Sequence, residues 1–271
     1  MFKVDVMLYL FRDSEASSSS RTNRQKIDAP LTYMMRTTSS VPKYLESITV
    51  INRDVDKARW RNVEEEFFRA GVTSYQRFKA VEGSRLSDDE IKRYVTAKAY
   101  STIQSKQRSS HAEISSKNQV ACFLSHVTLW SQLAKSKDEY RTIMEDDLSV
   151  TPDFVYRLNQ SVYSVPADFD VLLLGDIQQA RTPWSSIMPG QTWVRVRRFY
   201  GCHAYVIKKE AAQRLLTQCF PMECQLDTFI FEQAAKMNLK IYAHHPSLVQ
   251  QGKFPSTIQI RGDCTSCGRL Q

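Results

Sequence analysis

No stretch of this chain offers the ~18 or more uninterrupted apolar residues that a membrane-crossing helix requires, so any contact with a membrane is expected to be peripheral. The apolar opening segment, MFKVDVMLYLF, is short, is broken by Lys3 and Asp5, and is followed by no small-residue cleavage site. It does not read as a secretory signal, and a cytoplasmic location is expected. Cysteine is sparse for the length: six residues, irregularly spaced except for Cys264 and Cys267, do not make a disulfide-dense scaffold. That Cys-x-x-Cys pair has no second pair and no βαβ context, so neither zinc nor redox chemistry is assigned to it. The other thiols read as reduced. A Lys/Arg block is also missing, as is a basic stripe interleaved with aromatics. The net charge of +8 is spread along the chain, which argues against nucleic acid and for a phosphate-bearing small molecule as the anionic partner. Repeats at solenoid spacing are absent, which excludes a repeat architecture.

What is present fits a globular enzyme-sized domain. A chain of 271 residues with 42% hydrophobic and 24% charged residues can bury a sizeable core and is not disordered as a whole. From Asp13 to Lys43 the composition turns to Ser and Thr, with the run Ser17 to Ser20 and two prolines, Pro30 and Pro42. Residues 1–43 are therefore expected to be a flexible leader, residues 44–255 the folded domain, and residues 256–271 a tail.

Within the domain, strand and helix signals alternate. SITVIN is a β-branched run, and Trp60, Val63, Phe67 and Ala70 then recur at helical spacing before Gly71 ends the pattern. YQRFKAVEG gives a second strand, and NQVACFLSHVTLWSQLA places Phe123, Val127, Trp130 and Ala134 on one helical face. YRTIM reads as a strand, with Thr151 and Pro152 as N-cap and first position of the helix after it. Strands are expected at FDVLLLG, TWVRVRRF, AYVIKK and LKIYA, and helices at EAAQRLLTQC and from Leu226 to Met237. This order predicts an α/β domain with a mostly parallel sheet.

The sharpest chemical feature is Glu145, Asp146 and Asp147, three acids after the apolar strand YRTIM. Ligands of open α/β sheets bind beyond the carboxyl ends of strands, and hard divalent cations such as Mg²⁺ or Mn²⁺ are held by carboxylates together with substrate phosphates. The competing reading is a solvated loop whose acids favour the following helix N-terminus. Three further stretches add weight to the first. Gly201 precedes a strand and helix where backbone can approach a ligand. Asp227 lies beside an apolar helix face, where it can act as an N-cap or a general base. His244 and His245 follow a strand and are candidate ligands.

Taken in order, ITVINRDVDKARW, YQRFKAVEG, ACFLSHVTLW, TIMEDDLSV, GCHAYVIKKEAAQRLL, LDTFIFE and PSLVQQ resemble glycosyltransferase family 25, which includes lipooligosaccharide and collagen galactosyltransferases. The resemblance covers Ile48 to Gln251. It implies a GT-A type fold and inverting transfer of a hexose, galactose or glucose, from a UDP-sugar. The acceptor would be a hydroxyl of a glycan, as in lipopolysaccharide biosynthesis, a lipid-linked sugar or a protein. It also implies a divalent metal, Mn²⁺ in the first instance. Carried over by position, Asp146 and Asp147 match the metal and diphosphate acids with Glu145 beside them, and Asp227 matches the later aspartate, the candidate base. Ser125 and His126 match the Ser-His pair, Asn52 and Arg59 the donor-side segment, and Gly201 the glycine near the donor. Analogy with other GT-A enzymes adds His245 as a further metal ligand. Strand alternation lets Asp146 and Asp147 meet one ion only if the chain has left strand geometry there, with Glu145 bracing the site from the protein side. Acceptor recognition is expected in 85–118 and 178–191. The alternative is a catalytically silent member serving as a glycan- or protein-binding module, which has no need to keep three acids and Asp227 together.

Overall fold

A computed structural model describes residues 48–175, 178–181, 190–252, 254–258 and 264. The expected leader, 1–43, lies outside them. The first strand, β1 (Ile48–Asn52), is buried along its whole length, as its continuous apolar and β-branched sequence requires of a strand covered on both faces. Helix α1 (Lys57–Ala70) follows and ends at Gly71, whose φ of 72° is the left-handed conformation that an L side chain resists. After β2 (Tyr75–Lys79) come α2 (Asp88–Tyr94) and α3 (Ala97–Ser105); the polar sequence from Asp88 to Ser110 reads as helical at first and then as loop, and the second helix stands in the part read as loop. The long helix α4 (Lys117–Lys135) starts at a capping box: Ser116 accepts from the Gln119 amide while the Gln119 side chain reaches back to the N-cap backbone.

β3 (Tyr140–Glu145) then enters the sheet, and the short β4 (Leu148–Val150) follows after a two-residue bend. Helix α5 (Phe154–Ser161) begins later than the Thr151-Pro152 signal indicated, with Asp153 at the N-cap. The delay has a cause: Thr151 donates its N–H to the Leu248 carbonyl at 3.0 Å, at the edge of a two-stranded ribbon between β4 and β10 (Val249–Gln251). The remaining elements are β5 (Val171–Gly175), β6 (Gln178–Arg181), β7 (Trp193–Tyr200), β8 (Ala204–Lys208), α6 (Lys209–Leu216), α7 (Leu226–Met237) and β9 (Ile241–His244). β6 falls where a loop was expected.

The main sheet has the order β2-β1-β3-β8-β5-β9-β7-β6. Six strands run one way, and β8 and β7 run against them, so the sheet is α/β and mostly parallel in direction. One face packs Ile48, Val50, Met144, Leu172 and Val206 against Val63 and Phe67 of α1 and Phe154 and Leu158 of α5. On the other face Tyr205 meets α4, where Trp130 stacks with Phe229 of α7 and Phe123 meets the same ring at a tilt. Among the described residues no helix is long and apolar enough to cross a membrane.

Register brings Asn52, Glu145, Gly175 and the start of β8 to one edge: Ile51 pairs with Glu145, and both Met144 and Gly175 pair with Ala204. β10 folds back over this edge. Gly175 accommodates it, because a Cβ there would collide with the Val249 carbonyl and the His203 ring. Residues 256–258, expected in a separate tail, pack here too: Ser116 Oγ donates to the Ile258 carbonyl and Asn118 Nδ2 to the Thr257 carbonyl. Cys122, Cys202, Cys219 and Cys224 are free thiols and Cys264 is disulfide-bonded; Cys267 lies outside the described residues.

Candidate active site

Strand parity disposes the three acids. Ile143 pairs with Tyr205 on the α4 side of the sheet, so Glu145, two residues on, points to the same side. There it meets His126 Nε2 at 3.4 Å and accepts from Cys122 Sγ at 3.8 Å. Asp146 emerges on the α1 side and is buried against Arg59, whose Nη1 donates to Oδ1 at 2.8 Å, and Asn52, whose Nδ2 donates to Oδ2 at 2.7 Å. Asp147, already past the strand, lies 3.7 Å from Arg59 Nη1 and accepts from Gln251 Nε2 at 3.0 Å. Its Oδ1 is buried and has no hydrogen-bond partner among the described residues. Asp146 is thus the braced acid, and Glu145 faces the site as well as the protein.

Burial and the neighbouring Glu145 charge push the Asp147 carboxyl up to about 6. Burial also raises Asp146, against the pull of Arg59 and Asn52. For Glu145 burial acts in the same sense, but His126, His203 and Cys122 together outweigh it and hold the carboxyl below its ordinary range. Beneath it, Tyr205 Oη accepts from Trp130 Nε1 at 3.0 Å and lies 2.7 Å from His126 Nδ1. The imidazole thus lies between the Tyr205 hydroxyl at Nδ1 and the Glu145 carboxylate, 3.4 Å from Nε2. Ser125 ties the same helix to the loop after β2 by accepting from the Val81 amide at 2.9 Å.

Two cavities meet at this floor. The first, about 70 Å³, is lined by Arg53, Arg59, Asp146, Asp147, Asn118 and Ser125 among others. The second, about 290 Å³, is lined by Asp227, Gly201, His203, Gln119, His111 and Tyr200 among others. Cys122, Glu145, Ser256 and Ile258 belong to both linings. Asp227 stands in the first turn of α7, where its Oδ2 accepts from the Gly201 amide at 3.0 Å and its Oδ1 from the Thr228 amide at 2.6 Å. Gly201 holds a φ of 82°, and the position keeps its N–H on the carboxylate. Burial raises Asp227 above the usual range despite these donors.

The structure therefore gathers Asn52, Arg59, His126, Glu145, Asp146, Asp147, Gly201 and Asp227 around adjoining cavities. It does not gather the histidines after β9. His244 packs edge-on to Trp193 with ring centroids 5.0 Å apart, and the His245 amide donates to the Thr192 carbonyl; neither is among the described residues lining these two cavities. The side chain that reaches Asp147 from that region is Gln251, carried by β10. Gln251, Gln119, Cys122 and His203 were not singled out in the sequence. For Gln119 a signal was available in the Ser-x-x-Gln capping box, whereas the others depend on contacts between distant segments.

The sequence model of glycosyltransferase family 25 (LPS biosynthesis protein) matches residues 46–189, more than half of the chain. The chain belongs to glycosyltransferase family 25. It is 28% identical over 141 residues to procollagen galactosyltransferase 1 of Danio rerio, covering 50% of this chain and 23% of that protein. A glycosyltransferase 25 family member of Drosophila pseudoobscura pseudoobscura is 23% identical over 189 residues, covering 68% and 29%. The chain thus spans between 23% and 29% of the length of these relatives. A solved glycosyltransferase involved in the glycosylation of the major capsid of PBCV-1 shares 11% identity at a TM-score of 0.30, over 65% of this chain and 66% of that one. The family match holds Asn52, Arg59, His126 and the three acids; Asp227 lies beyond it.

Proposed function

We propose that this chain is an inverting glycosyltransferase with a GT-A type site that moves a hexose from a UDP-sugar to an acceptor hydroxyl. The observation that carries this reading is the division of charged groups. Asp146, Asp147 and two arginines line one cavity, while Asp227, remote in sequence, lines the adjoining one. Arg53 and Arg59 favour an anionic diphosphate in the first cavity. The unpartnered Asp147 Oδ1 suits a hard cation, so Asp147 would hold the divalent ion, Mn²⁺ in the first instance, with Asp146 fixed beside it by Asn52 and Arg59. When bound, such an ion supplies countercharge for the departing diphosphate.

The chain's own groups do the rest. Asp227 is held in place by two backbone N–H groups, and its raised proton affinity suits it to take the acceptor's hydroxyl proton. The acceptor oxygen forms its bond to the anomeric carbon as the bond from that carbon to the diphosphate oxygen breaks. The proton passes to Asp227 and UDP leaves with the bond's electron pair. Attack from the face opposite the leaving group inverts the anomeric centre.

Incubation of purified protein with Mn²⁺ and a panel of UDP-hexoses, with UDP release as the readout, tests this. One donor is expected to be consumed slowly without acceptor, and Asp146→Asn combined with Asp147→Asn is expected to abolish the release. Binding of UDP-hexose without release on any acceptor panel would favour a silent binding module. Release that is unchanged by chelator would remove the metal from the reading.

A further inference from the structure

The second cavity carries an unusual set of unsatisfied polar atoms. Gln119 is 5% exposed and His203 2% exposed, yet Gln119 Nε2, His203 Nδ1 and His111 Nε2 have no hydrogen-bond partner among the described residues, and all three residues line this cavity. Orphaned buried polar groups of this kind cost on the order of 1–3 kcal/mol each unless something pairs with them.

The polarity of two of these atoms is fixed by what the rest of each side chain does. Gln119 Oε1 accepts from the Ser115 and Ser116 amides at 2.6 and 3.1 Å, so the side-chain amide cannot be turned, and Nε2 is a donor facing the cavity. His203 Nε2 lies 3.2 Å from the Val249 carbonyl, a group that only accepts, so Nε2 carries the hydrogen and Nδ1 is a bare acceptor. Burial favours this neutral form. The occupant must therefore accept from Gln119 and donate to His203. It must also sit beside two carboxylates, Asp227 and Glu145, with no Lys or Arg among the described lining residues. A carboxylate or a fully ionised phosphate ester fails on both counts, having no proton for His203 and meeting two like charges. A hydroxyl does both, since it donates and accepts. One hydroxyl, however, cannot serve atoms supplied by α4, by the turn before β8 and by the segment ahead of α4. At about 290 Å³ the cavity has room for more than a single side-chain hydroxyl.

We propose that this cavity binds a neutral pyranose of the acceptor, so that the acceptor is a saccharide and not a hydroxyl-bearing peptide side chain. The inference rests on the glycosyltransferase reading above. In it, Gln119 and His203 grip ring hydroxyls while Asp227 takes the proton of the one that reacts.

Saturation-transfer NMR on the full chain with methyl hexosides, hexose phosphates and a serine-containing peptide amide tests the proposal, with UDP in a parallel sample as a check on the donor site. At least one methyl hexoside is expected to bind with a Kd on the order of millimolar; the phosphates and the peptide are expected not to. Gln119→Glu keeps an oxygen for the helix cap and removes the donor, and it is expected to weaken the hexoside at least about tenfold. Binding should persist when an uncleavable phosphonate analogue of the UDP-hexose fills the donor site. Four results would overturn the proposal: UDP binding without any hexoside binding, equal binding of hexose phosphates or peptide, an unchanged Kd in Gln119→Glu, or displacement of the hexoside by the donor analogue. Failure of UDP to bind while a hexoside binds would instead count against the donor reading, leaving the sugar site in place.

Discussion

Replacing Asp147 by Asn is expected to stabilise the metal-free protein while destroying its transfer activity. The carboxyl is almost fully buried next to Glu145, and its pKa is raised from 3.8 to about 6. The native state therefore holds a proton that the unfolded chain has already lost between about pH 4 and 6. The sign follows: stability from this group is fullest below the unfolded value and is lost as pH rises through about 6, because the native state must then carry a charge it disfavours. A shift of about two units corresponds to roughly 3 kcal/mol, which Asn recovers at pH 7, less whatever the Gln251 contact contributes to the charged form. For a domain of this size that is on the order of 5–10 °C in Tm. Thermal melts of both proteins in chelator, from pH 4 to 8, are the assay: the curves should coincide near pH 4, separate between about pH 4 and 6 and stay apart above it, with Asp147→Asn the more stable. With Mn²⁺ added, the wild type alone should rise. A variant less stable than wild type at pH 7 in chelator, or a difference that does not vary with pH, would refute the reasoning.

Arg59 reaches two acids and a carbonyl: Asp146 and Asp147 through Nη1, and the Pro255 carbonyl at 2.6 Å through Nη2. Its ring contact with Phe254, 5.5 Å from the guanidinium carbon, adds to the site. Arg59→Ala leaves two buried carboxylates unpaired and is expected to cost about 3–5 kcal/mol in urea unfolding. Arg59→Lys should restore only part of this, since an ammonium cannot span both partners; full restoration would show that charge alone matters. Tyr205→Phe strands Trp130 Nε1 and His126 Nδ1 in a fully buried site, at about 1–3 kcal/mol per atom. Its specific mark is a change in the ¹⁵N shifts of the His126 ring, because Nδ1 loses its hydrogen-bond partner. Unchanged shifts would mean that Tyr205 acts by packing alone.

The elements with long, strongly patterned sequences were legible. LDTFIFEQAAKM forms its helix at the expected bounds, Leu226–Met237, and YRTIM forms a strand that ends in the acids. Two bent residues, Asp146 and Asp147, stand between β3 and β4; Asp146 still takes the side that strand parity gives it, and Asp147 leaves it. What escaped was non-local. β4 and β10 are three residues each, too short for any period to register, and each exists because the other supplies its hydrogen bonds. Gln251 owes its place to that pairing, and His203 owes its place to the antiparallel insertion of β8 between β3 and β5. A histidine after a strand looked like a ligand at His245, yet β9 ends beside the Thr192 carbonyl, so the chain must cross the sheet edge before any side chain reaches Asp147.

The three consecutive acids serve three environments because two geometries succeed each other within three residues. While the strand persists, parity sends Glu145 to α4 and its successor to α1, so the neighbours of Asp146 are those that α1 and the end of β1 can provide, Arg59 and Asn52. Once the strand is broken, parity no longer applies, and Asp147 turns to β10 with one oxygen left over. A cluster of like charges at a sheet edge would ordinarily repel itself apart. Here Arg59 sits between two members, and the third, Glu145, is held apart by the opposite face of the sheet and by the His126–Tyr205–Trp130 chain below it. Separation by the sheet also lets Glu145 belong to both cavities, one with arginines and one without. On the reading proposed above, a diphosphate and a neutral sugar would be held on either side of one carboxylate, which is the arrangement that joining a donor to an acceptor requires.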